Sequence, residues 1–98
     1  MSETDFPSDS IWCFSVSAAR EAGVMLRVLE LFAKRGLVPD SVHAGMGDDG
    51  RESLAVDLQV SGLSEETASR IAASLRSLIS VGRVLVSAKR VALAEAAR

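Results

Sequence analysis

Apolar and polar residues alternate in IWCFSVSA, residues 11–18, with Trp12, Phe14 and Val16 on one side and Cys13, Ser15 and Ser17 on the other. A period of two predicts a strand with one buried face. After a short polar connection, AREAG at 19–23, the period lengthens. Val24, Val28, Leu31 and Phe32 share one helical face, flanked by Met25 and Leu29, while Arg27, Glu30 and Lys34 point away; the spacing predicts a helix over 24–35. Lys34 and Arg35 suit the negative helix end, and Gly36 supplies a left-handed stop. Residues 37–44 form a weaker strand candidate, which Pro39 demotes to a sheet edge. GMGDDG at 45–50 has the composition of a hairpin turn. Leu54, Val56, Leu58 and Val60 then alternate with small and polar residues in the cleanest strand pattern of the chain.

Gly62 breaks that strand, and Ser64 is an N-cap with Glu65 and Glu66 in the first turn, where the helix dipole favours acids. Ala68, Ile71, Ala72, Leu75 and Leu78 mark one face of a second helix running to about residue 78. A last strand over 81–88 carries Val84 and Val86 against Leu85, and the alanine-rich segment 89–98 reads as a short C-terminal tail or helix. The order β-α-β-β-α-β predicts an α+β, ferredoxin-like fold, a four-stranded antiparallel sheet with two helices on one face. The domain is expected over 11–88, preceded by a disordered acidic tail at 1–10 that holds Glu3, Asp5, Asp9 and Pro7.

Composition narrows the function. With 48% apolar and 24% charged residues in 98, the chain has material for one core. A net charge of −2 lacks the basic excess of a general nucleic-acid binder. No apolar run approaches the roughly 18 residues of a membrane span, and the first residues are polar and acidic rather than signal-like. The expectation is a cytoplasmic protein with neither nucleic acid nor membrane as partner. One cysteine, Cys13, closes no internal disulfide, and one histidine, His43, with it falls short of the usual zinc ligand set. No catalytic, metal or cofactor residues are expected.

Gly45, Gly47 and Gly50 spell a Gly-x-Gly-x-x-Gly motif, but they lead into a strand and not into the helix a dinucleotide loop requires. A thiolate–imidazole pair between Cys13 and His43 fails on topology, since the first strand is central and the second an edge. Trp12 and Phe14 sit where RNA-recognition sheets carry stacking aromatics, yet the third strand supplies no aromatic, so both are assigned to the core. The segment Arg20-Glu21-Ala22-Gly23-Val24 is the strongest candidate. It enters a helix that has no Ser/Thr/Asp/Asn cap, so free amides and a positive dipole end meet a glycine that permits close approach. Such a place suits a carboxylate or phosphate. The alternative is a loop whose amides are satisfied by water.

The stretch AGVMLRVLELFAKRGLVPDSV, residues 22–42, resembles an ACT domain, and more narrowly the small regulatory subunit of acetolactate synthase, in its short, isozyme-II form. The likeness rests on Gly23-Val24-Met25, Arg27-Val28, the apolar run at 29–32, Arg35-Gly36 and Ser41-Val42. It extends to LRSLISVGRV at 75–84 and to the VSA of 16–18. The resemblance implies a non-catalytic regulatory domain in branched-chain amino-acid biosynthesis. It also implies a homodimer paired through the second strand, and a thiamine-diphosphate-dependent catalytic subunit as partner. An amino-acid or small anionic effector is expected at Arg20, Glu21, Ala22, Gly23 and Val24 of one subunit and near Val38 at the start of the second strand of its neighbour. A valine-responsive small subunit has asparagine where this chain has Arg20 and Val38, and a proline where it has Ala22. The alternatives are a free-standing amino-acid or small-molecule sensor dimer acting on another enzyme, and a purely structural dimer.

Overall fold

The computed structural model describes residues 10–47 and 52–90. Its elements run β1 (Ser10–Ala19), α1 (Val24–Ala33), β2 (Ser41–Met46), β3 (Ser53–Ser61), α2 (Glu65–Arg76) and β4 (Val81–Arg90). The strands form one antiparallel sheet in the order β2-β3-β1-β4, with the ferredoxin-like connectivity that the sequence pattern predicts. β1 is central, and β2 and β4 are the edges.

Alternation decides which face is covered. Trp12, Phe14, Val16 and Ala18 of β1, Val56, Leu58 and Val60 of β3, and Val84 of β4 are buried. They pack with Val24, Val28 and Phe32 of α1 and with Ala68, Ile71, Ala72 and Leu75 of α2. Phe14 and Phe32 meet edge to face, with ring centroids 5.3 Å apart at 78°, a favoured aromatic geometry that ties α1 to the central strand. The Trp12 indole N–H donates to the Leu63 carbonyl at 3.0 Å, satisfying a buried polar atom of each. Trp12 and Phe14 are therefore core residues.

Element ends follow local chemistry. Ser64 caps α2, its hydroxyl accepting from the Thr67 amide at 3.0 Å. α2 stops at Arg76, short of the expected end, and Leu78 packs against the core from the following turn. α1 stops at Ala33 rather than Arg35, and Gly36 takes φ +73° in the turn that follows. Residues 37–40, expected to open the second strand, are a connecting loop; β2 begins four residues later than the alternation suggested. Asp40 accounts for the late start. Its amide donates to the Gln59 carbonyl and its carboxylate accepts from the Ser61 amide, both at 2.7 Å, and this pair pins the loop to β3 before the ladder begins. β2 is an edge as expected, but Pro39 lies outside it.

Gly45 and Met46 belong to β2, Gly47 donates to Ser53 at the hairpin neck, and the rest of the glycine-rich turn lies outside the described residues. At the two ends of the domain the sheet exceeds the expected boundaries. Ser10, assigned to the tail, is buried in β1 opposite Arg90, and β4 takes in Lys89 and Arg90. The acidic segment 1–9 and the alanine-rich segment 91–98 lie outside the described residues.

Candidate functional site: the loop between β1 and α1

The loop 20–23 leaves the top of the central strand and turns directly into α1. The Glu21 amide donates to the Ala19 carbonyl at 2.9 Å, and the Val24 amide to the Glu21 carbonyl at 3.3 Å. The Arg27 amide donates to the Gly23 carbonyl at 3.2 Å, which is the first bond of the helix proper. Gly23 stands at the N-cap with φ −95° and no side chain to offer, so the Met25 and Leu26 amides of the first turn have no cap. Uncapped amides and the dipole leave this end of α1 electropositive.

Each predicted residue has a distinct place. Arg20, Glu21 and Ala22 are exposed, Gly23 is half-buried, and Val24 is buried in the core. The Glu21 carboxylate accepts from the Ser80 hydroxyl at 2.5 Å, while the Ser80 carbonyl accepts from the Ala19 amide at 2.7 Å. This double contact holds the loop against the turn between α2 and β4. Arg20 to Val24 are thus together at one end of α1. Val38, 84% exposed, lies beyond the other end of the helix, about 15 Å away for ten helical residues. Within one chain the two halves of the predicted site do not meet.

The structure adds a residue that the pattern placed simply on the outer helix face. Arg27 folds back so that its Nη1 lies 2.9 Å from where a Cβ on Gly23 would be. A helical side chain leans toward the N-terminus, and i,i+4 positions share a face, so the spacing of Gly23 and Arg27 held the signal. The guanidinium places a full positive charge beside Gly23 at the start of the helix, and the missing Cβ makes room for it. What this arrangement can do chemically is attract and orient a carboxylate or a phosphate. Cys13 and His43 are not brought together: β3 separates their strands, and in the ladder Cys13 faces Gln59 while His43 faces Asp57. Among the described residues there is no metal-binding cluster and no helix long and apolar enough to cross a membrane.

A single four-stranded antiparallel sheet with both helices on one face and a glycine-bearing loop after the first strand defines a class of small α+β domain. Residues 8–93 match the family model described as ACT-like domain, and the chain belongs to that family. Solved structures agree on the fold. The ACT domain of a GTP pyrophosphokinase from Chlorobium tepidum superposes with a TM-score of 0.66 at 10% identity, over 79% of this chain and 96% of that one. The C-terminal domain of the MgtC protein from Mycobacterium tuberculosis gives 0.61 at 18% identity, over 89% and 95%. A homoserine dehydrogenase from Thiobacillus denitrificans gives 0.61 at 16% identity, covering 87% of this chain and 19% of the enzyme. No curated protein matches the sequence.

Proposed function

We propose that this chain is a non-catalytic regulatory domain that works as a homodimer and responds to a small carboxylate- or phosphate-bearing effector at the β1–α1 loop. The observation that carries the reading is the uncapped start of α1, with Arg27 folded over Gly23. Domains of this family are regulatory, commonly pairing and commonly binding amino acids.

The second strand supports the pairing. β2 is an open edge whose helix-side residues are not covered by either helix: Val42 is 39% and Met46 59% exposed. Free backbone groups flanked by apolar side chains favour addition of another strand. Two copies joined antiparallel through β2 about a two-fold axis bring the start of one β2 beside the end of the other. Val38 of a second copy then approaches the end of the molecule that holds Arg20, Gly23 and Arg27, which unites the two halves of the predicted site.

The preferred target is acetolactate synthase, with this chain as its small regulatory subunit in branched-chain amino-acid synthesis, in the cytoplasm. The matches at 22–42 and 75–84 support it. Arg20 and Val38 favour the second reading, a sensor dimer for another enzyme, because neither offers the acceptor and donor pair of an asparagine amide. An affinity purification with the full chain as bait separates them. Recovery of a thiamine-diphosphate-dependent enzyme supports the first. Calorimetric binding of an amino acid or phosphate-bearing metabolite, with no such enzyme recovered, supports the second.

A further inference from the structure

The sheet face opposite the helices carries a depression of about 300 Å³, away from the β1–α1 loop. Its floor is made of small side chains, Ser15, Ser17 and Ala55, with Leu85 at one wall, and two charged residues of opposite sign stand across it, Asp57 and Arg83. The ladder fixes their relation. Asp57 is opposite Ser15, Ser15 opposite Leu85, and Arg83 is opposite Ser17. The two charges are therefore two strands and two residues apart, about 12 Å between Cα atoms, and they form no ion pair with each other.

Asp57 is oriented and half used. The Ser15 hydroxyl donates to its Oδ1 at 2.8 Å, and Oδ2 has no partner among the described residues. The Arg83 guanidinium has none either. A volume of this size is at the small end of ligand pockets. We propose that this depression is a second ligand site, for a small zwitterion whose ammonium meets Asp57 and whose carboxylate meets Arg83. The small floor lets the body of the ligand lie flat on β1 between the two charges. A ligand with one charge only engages half of the site, so the selectivity is for the pair of charges and not for either alone.

Amide NMR spectra of the full chain, titrated with alanine, glycylglycine, acetate and methylammonium, test this. The expected result is movement of the amides at 15–17, 55–57 and 83–85 with one or both zwitterions, and little with acetate or methylammonium at equal concentration. Arg83→Gln and Asp57→Asn each weaken that binding by about tenfold or more, the usual consequence of losing one charge-assisted hydrogen bond. Both side chains are exposed, so the variants keep the dispersed spectrum of the folded chain. Four results would overturn the proposal. The zwitterions move nothing at tens of millimolar, the singly charged probes move the same amides equally, or those amides shift on dilution alone, which makes the face a contact between copies. Shifts confined to 20–27 count against it too, and belong to the loop site.

Discussion

Gly36 follows α1 at φ +73°, a conformation that costs any residue with a Cβ, whereas Gly23 precedes the helix at φ −95°, which any residue adopts. Nothing lies within 4 Å of a Cβ built on Gly36, so the cost there is conformational alone. Gly36→Ala is expected to destabilise by about 1 kcal/mol in denaturant unfolding. Gly23→Ala leaves stability within about 0.5 kcal/mol, because the displaced atom is the far end of the flexible Arg27 side chain. Its effect falls on the candidate site instead: moving the guanidinium away from Gly23 is expected to weaken effector binding in calorimetry. A Gly23→Ala protein that loses as much stability as Gly36→Ala would show that the glycine serves the turn rather than the ligand. Trp12→Phe strands the buried Leu63 carbonyl and is expected to cost about 1–3 kcal/mol in the same unfolding experiment.

Each element's visibility in the sequence depends on whether a single period or a single residue governs it. β1 and β3 are legible because one face is buried along all of β1 and from Val56 to Val60 of β3, which enforces alternation. α2 was legible because Ser64, Glu65 and Glu66 announce its start and the hydrogen bond to Thr67 is the one that cap chemistry predicts. Ser64→Ala should cost about 1 kcal/mol, read as a lower midpoint in thermal or denaturant unfolding. β2 was misplaced because its side chains are nearly all exposed and impose no pattern; its start is set by the Asp40 bonds to Gln59 and Ser61, a contact 21 residues distant in the case of Ser61. The loop site was half legible. The missing cap of α1 could be read directly, but the return of Arg27 over Gly23 and the capture of Glu21 by Ser80, 59 residues on, depend on the assembled fold.

In the assembled protein, the function proposed for the chain depends on what covers the open edge of β2. A monomer leaves Val42 and Met46 in solvent and keeps Val38 a helix length from the loop; an edge-to-edge pair buries the first two and brings the third to the site of a second copy. Sedimentation velocity on the full chain at micromolar concentration, beside a Val42→Lys/Met46→Lys variant, addresses this most directly. The lysines sit on exposed positions of an edge strand, where they oppose strand addition without entering the core. The prediction is a species of twice the 10.3 kDa chain mass for the wild type and a folded monomer for the variant. A wild-type chain that sediments as a monomer throughout, or a variant that remains dimeric, contradicts it.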